Sequence, residues 1–162
     1  MANIVKKNAH NSPDPGFGGV AYGNVFSLPY RFETNSSGYF LDSDTPAAAV
    51  GNGDVVYLGV IPAGTRLLDC KVFVSDAFTG SSTAALGFKY KDGTDVAAVP
   101  QDDDFFFAAT TIASTAVIRK LNVTPPVTIP KDAYLILTNA GAAQSAAGIM
   151  NIEIQGVMGG PA

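Results

Sequence analysis

Few residues in this chain could do chemistry, and their spacing argues against it. There is one histidine, His10, and one cysteine, Cys70, among 162 residues. A Ser-His-Asp or Cys-His arrangement needs its base held rigidly within hydrogen-bond reach of the nucleophile. His10 stands just before Asn11-Ser12-Pro13-Asp14-Pro15-Gly16, a run unsuited to holding a base still, and no nucleophile-elbow motif is present. His10 therefore reads as a solvated loop side chain. Zinc takes roughly three or four His, Cys or carboxylate ligands, more than one His and one Cys supply. Cys70 falls on the apolar side of an alternating stretch and reads as a small buried hydrophobe, with its neighbour Lys71 pointing the other way. The remaining cluster is Asp102-Asp103-Asp104, with Asp92 and Asp95 upstream. Calcium takes about six to eight oxygens, and the run matches no EF-hand spacing. It reads as a charged guard in front of Phe105-Phe106-Phe107. Paired carboxylates can hydrolyse glycosides, but the chain has no tryptophan for a sugar platform. The expectation is no catalytic residue, no metal, no cofactor and no enzyme activity.

The elements that would have to position such residues are strands. In Leu68-Asp69-Cys70-Lys71-Val72-Phe73-Val74-Ser75, Leu68, Cys70, Val72 and Val74 share one face, and Asp69, Lys71 and Ser75 the other. Side chains alternate across a strand, so this is one dry and one wet face. Met150, Ile152 and Ile154 alternate with Asn151, Glu153 and Gln155 in the same way. The alternation predicts strands over residues 54–61, 67–76, 83–90, 104–109, 115–123, 127–129, 133–138 and 149–157. Phe26, Leu28, Tyr30 and Phe32 mark another, which Pro29 demotes to a sheet edge. Leu68, Cys70, Val72, Val74, Leu86, Phe88, Met150, Ile152 and Ile154 are the expected core. Turn chemistry separates the strands: Ile61-Pro62-Ala63-Gly64, Lys91-Asp92-Gly93-Thr94, and Ile129-Pro130-Lys131-Asp132. No long helical periodicity competes. Many short strands with some long connections predict an all-β fold, a jelly-roll-like antiparallel β-sandwich.

Length fits one domain. Residues 1–22, with two prolines and three glycines between Asn11 and Gly19, read as an extended N-terminal arm. Residues 23–162 read as a single β-sandwich domain. Lys6 and Lys7 are followed by no apolar run, so the start does not read as a signal peptide. No apolar stretch reaches membrane-spanning length, so no membrane partner is expected. The ten Lys and Arg form no basic stripe of the kind that neutralises phosphates, which argues against nucleic acid. Only 15% of residues are charged. Low charge weakens colloidal repulsion, and interface cores are charge-depleted, so the composition suits a chain packed against other protein.

Several aromatic rings have no obvious inner face. Phe106 points opposite Phe105 and Phe107 if the strand is regular. Phe73 lies on the polar face of its strand, Tyr39-Phe40 follow a loop, and Phe17 and Tyr22 stand in the arm. Phe17, Tyr22, Tyr39, Phe40, Phe73 and Phe106 are the expected partner-binding residues.

The stretch Asp54 to Leu67, the strand 68–75, and Leu86-Gly87-Phe88-Lys89-Tyr90-Lys91-Asp92-Gly93 together resemble the jelly-roll head decoration, or cement, proteins of tailed bacteriophages. The resemblance covers about residues 50–157. It implies a virion structural protein on the capsid surface, assembled in the host cytoplasm, bridging subunits of the major capsid protein. A homo-oligomer, dimer or trimer, is the expected form on the shell. The alternative is a carbohydrate- or receptor-binding module of lectin-like or fibre type.

Overall fold

The structure is a computed structural model, and it describes residues 3–5, 25–44 and 48–158. The strands are β1 (Asn3–Val5), β2 (Val25–Thr34), β3 (Val55–Ile61), β4 (Thr65–Asp76), β5 (Thr83–Tyr90), β6 (Asp102–Thr111), β7 (Ala116–Arg119), β8 (Val127–Thr128), β9 (Ala133–Ala140) and β10 (Gly148–Met158). They form two sheets. The first runs β1-β3-β9-β5-β6; the second runs β2-β10-β4-β7, with β8 also on β4. Apart from β5–β6 and the short β7–β8 step, every strand lies in the opposite sheet from its predecessor. Set β1 and β8 aside and number the other eight strands consecutively: the orders become 1-8-3-6 and 2-7-4-5, the jelly-roll arrangement. The expected all-β sandwich is the observed fold.

Pro29 sits at the edge, as its missing N–H requires: β2 borders only β10 among the described strands. Asn3–Val5, within the expected arm, pair in parallel with Val55–Tyr57 at the edge of β3. That small strand carries no alternation signal of its own.

The core lies between the sheets. Cys70, Val72, Val74, Leu86, Phe88, Met150, Ile152 and Ile154 are all buried there, as their alternation requires. Leu68 is the exception. Opposite it the pairing skips, from Ile154↔Cys70 and Gln155↔Asp69 to Gly156↔Leu67. The extra residue of this bulge reverses the alternation upstream, so Leu67 and Thr65 are buried and Leu68 is only partly so.

A larger irregularity shapes β6. Leu86 pairs with Phe107 but Phe88 pairs with Asp102, so β6 spends several more residues than β5 over the same length. The bulge folds Asp102 and Asp103 against the outer side of β5 at Gly87. A Cβ there would collide with the Asp102 carbonyl and the Asp103 backbone, which is why glycine stands in mid-strand. The turn from β3 to β4 uses its glycine differently. Gly64 has φ +79°, and its N–H donates to the Ile129 carbonyl at 2.7 Å.

Two polar devices tie the layers. Tyr30 of β2 donates its hydroxyl to the Val60 carbonyl of β3 at 2.9 Å, with its ring over Gly59. Burial holds this phenol far above its ordinary pKa, so it remains a donor. At one end of the sandwich, Asn139 and Gln144 are almost fully buried and knit three loops. The Asn139 side-chain amide donates to Gly51 and Ala142 carbonyls at 2.8 and 2.9 Å, and the Gln144 amide donates to Asn139 Oδ1 at 2.7 Å. Gln144 Oε1 accepts from the Thr79 N–H at 3.2 Å. A buried amide costs little only when satisfied in this way.

Truncating Ile152→Ala removes a side chain buried at the centre of β10 and is expected to cost about 2–5 kcal/mol. Gly87→Ala is expected to cost about 1–3 kcal/mol or more by forcing backbone apart. Denaturant titration measures both; an unshifted midpoint for either variant would contradict the pairing of its strand.

Candidate functional site

Cys70 is fully buried, and burial pushes its thiol up to about 12, which leaves it protonated and inert. His10 lies outside the described residues. The carboxylates of Asp102, Asp103 and Asp104 do come together: one oxygen from each lies within 4.8 Å of the others. The bulge over Gly87 brings them to one place despite the extended backbone expected for this run. The Asp104 N–H donates to Asp102 Oδ1 at 3.1 Å. Hydrogen bonding to Asp102 raises the Asp104 carboxyl above its ordinary range, followed by partial burial and repulsion from Asp102 and Asp103. The cluster falls short of a calcium cage. It offers three carboxylates, and the Asp104 carbonyl is taken by the Asn122 side-chain amide, whereas Ca²⁺ takes about six to eight oxygens.

The expected partner-binding rings separate into three groups. Phe17 and Tyr22 lie outside the described residues. Phe40 and Phe106 are buried, and as surface anchors they are corrected. Phe40 packs on Phe32 with centroids 5.4 Å apart, and Phe106 lies edge-on to Phe105 at 5.0 Å. The assumption of a regular pleat fails for Phe105-Phe106-Phe107. The bulge turns successive rings inward, and the segment after β7 covers them: the Leu121 N–H donates to the Phe106 carbonyl at 2.9 Å and Thr124 Oγ1 to the Phe105 carbonyl at 3.2 Å. Tyr39 and Phe73 remain partly exposed. Phe73 stands on the outer face of the second sheet, opposite Val117 of β7, with Lys71 Nζ 4.7 Å from its ring centroid.

The surface features that sequence reasoning misses are aliphatic. Val117, Leu121 and Val123 are 60%, 59% and 102% exposed, and Val25 and Leu41 are 63% and 55% exposed. The expected strand over 115–123 would hold Leu121 and Val123, but β7 ends at Arg119. Beside this segment, Phe88, Val99, Phe105, Pro125 and Val127 line an apolar cleft of about 260 Å³ whose rim includes Asp102. On the outer face of the first sheet Val60, Tyr134 and Ile136 form a second small apolar cluster, with Tyr57 edge-on to Tyr134 at 5.3 Å.

The arrangement is thus a sandwich whose prominent surface features are apolar and placed along its flanks. No family model and no curated protein matches the sequence. Among solved structures, the chain is similar to one from the capsid of Ralstonia phage GP4, with a TM-score of 0.65 and 18% identity over 99% of this chain and 100% of that one. It is more distantly similar to a chain from the acidic stable capsid structure of Helicobacter pylori bacteriophage KHP30, with a TM-score of 0.47 and 12% identity over 84% of this chain and 94% of that one. The resemblance to phage head proteins read from the sequence holds at the level of fold.

Because the folded Asp104 carboxyl titrates above its unfolded counterpart, the folded state binds the extra proton in the window between the two. Stability from this group therefore falls as pH rises from the ordinary carboxylate range through the raised value. Asp104→Asn is expected to melt higher than the parent at pH 7, with the advantage gone at pH 3. EDTA is expected to leave the melting temperature unchanged; a drop of several degrees reversed by Ca²⁺ would contradict the reading of the cluster as metal-free.

Proposed function

We propose that this chain is a structural protein of a bacteriophage head, and more narrowly a cement protein that sits on the outer surface and bridges subunits of the major capsid protein. One observation carries the reading: the jelly roll matches a phage capsid chain along the whole of both chains. The flank chemistry supports it, since exposed aliphatic side chains and charge depletion suit burial against protein. On this reading the protein belongs to the virion, joins the shell in the host cytoplasm, and works through its surface without turnover.

The mechanism is additive burial. A single modest contact is weak, but a particle engaged at several subunits gains avidity because each later contact forms at high effective concentration. Tyr39 and Phe73 are the described rings placed to make such contacts. Phe17 and Tyr22 would come from the Gly/Pro-rich stretch between β1 and β2. Proline lowers the entropy lost when such a stretch docks.

Deleting residues 1–20 removes Phe17 and the three-residue edge strand β1 but leaves both sheets of the jelly roll. The expected result is a soluble domain that melts cooperatively and no longer co-sediments with shells lacking the protein. Full occupancy of such shells by the truncated form would contradict the role assigned to this stretch. Failure to fold would show that β1 matters to the first sheet more than its length suggests.

A further inference from the structure

The apolar cleft lies between two connections of the sandwich. Its buried end is made by the rings of Phe88 and Phe105, edge to face with centroids 5.4 Å apart. Ala98 and Val99 line it from the connection between β5 and β6, and Pro125 and Val127 from the chain that runs from β7 into β8. Both linings are held from behind. The Tyr90 hydroxyl donates to the Val99 carbonyl at 2.6 Å, and Lys120 Nζ donates to the Thr124 carbonyl at 2.7 Å. The volume of about 260 Å³ is below the roughly 300–1,000 Å³ of cavities that enclose a whole small molecule. It suits one or two side chains, and a cleft already in shape loses little freedom on taking them.

The rim is anionic. Asp102 lines the cleft, and its carboxylate lies with those of Asp103 and Asp104, one oxygen from each within 4.8 Å of the others. Asp95 adds a further carboxylate on the β5–β6 connection, accepting from the Val96 and Gln101 N–H groups at 2.9 and 2.7 Å. Among the described residues no lysine or arginine forms an ion pair with Asp102, Asp103 or Asp104. Lys120 instead gives its ammonium to the Thr124 carbonyl and the Phe105 ring. An apolar anchor pocket thus stands beside negative charge that the chain itself leaves uncompensated.

We propose that the cleft binds an extended segment of a partner protein, with an aliphatic side chain between the Phe88 and Phe105 rings and Pro125, and a lysine or arginine one or two residues away over the carboxylates of Asp102 to Asp104. The anchor supplies the buried contact, and the cation supplies orientation and selectivity. An acidic segment would set like charge on the rim, and a neutral one would cover the carboxylates without a counter-charge. A second copy of this chain, at net charge −4, has no general attraction to such a rim. The inference deepens the cement reading and rests on it only for the source of the segment, a subunit of the shell.

The test titrates the isotope-labelled full chain, at low salt, with a blocked pentapeptide, Gly-Leu-Lys-Lys-Gly, followed by NMR. Two analogues carry serine for the leucine or glutamates for the lysines. The pentapeptide is expected to shift the amides of Ala98, Val99, Gln101 and Val127 with a dissociation constant of about 1 mM or tighter. Each analogue is expected to bind about tenfold more weakly. Ala98→Trp, at an exposed position, fills the cleft and is expected to abolish the shifts while melting where the parent does. Should it fold poorly, Asp103→Lys carries the test: this exposed change is expected to weaken the pentapeptide several-fold and to favour the glutamate analogue. No shift at these amides up to about 10 mM peptide, either analogue binding as well as the parent peptide, or variants that leave its binding unchanged would each overturn the inference. Co-sedimentation with shells scores the cement reading separately. A chain that binds shells but not the pentapeptide sinks only the cleft; one that binds the pentapeptide but not shells sinks only the cement role.

Discussion

The fold depends on the placement of the last two strands. β10 lies between β2 and β4, and β9 lies between β3 and β5. Without them the second sheet loses its β2 side and the first separates β3 from β5. Strand β2, formed near residue 25, has no described ladder partner until residues 148–158 are present. Both sheets therefore rest on contacts of long sequence separation, which place the entropy of closing large loops ahead of most of the stabilisation and make such topologies slow to fold. The alternation of Met150, Ile152 and Ile154 sets which face of β2 and β4 meets the core. The Asn139–Gln144 network at the β9–β10 connection then fixes the loops around that end.

The departures from regular pairing decide what the surface offers. The bulge at Leu68 lets β4 keep Leu67 inside while its far end keeps Cys70, Val72 and Val74 inside. The bulge in β6 packs three consecutive phenylalanines, lays the Asp102 and Asp103 backbone against Gly87 and gathers three carboxylates. The chain that leaves β7 then seals the β6 edge, and in doing so turns Leu121 and Val123 outward. Closing one sheet edge thus generates the apolar flank of the other sheet. Lys120 takes part in the seal, with Nζ donating to the Thr124 carbonyl at 2.7 Å and lying 4.3 Å from the Phe105 ring centroid. Exposed edges are usually blunted by charge or proline. Pro29, with Arg31 and Glu33 beside it, does this for part of β2, whereas β7 has only Arg119, which is engaged with Asp69 at 2.7 Å.

Strand existence and the sandwich class were legible because period-two alternation is strong where one face is dry, as in β4 and β10. Strand ends were less legible. β4 begins at Thr65, where the bulge breaks the alternation, and β7 stops at Arg119 with no proline or glycine at the boundary itself. Leu68 and Phe106 went the other way from their expected faces because alternation assumes a regular pleat, and each strand carries a bulge set by pairing that a single sequence does not align. β9 shows the complementary limit: Ala133 to Leu137 are all buried, because an apolar cluster also forms on its outer face. The carboxylate cluster was visible as a run, but its convergence comes from the close approach at Gly87.

On the proposed reading, this jelly roll belongs to a phage head and binds the shell from outside. A density map of the native particle tests it most directly. One sandwich of this shape is expected outside the continuous shell floor, touching at least two major capsid subunits. A map in which the sandwich is absent from the shell, lies on its inner face, or touches a single subunit would contradict the claim.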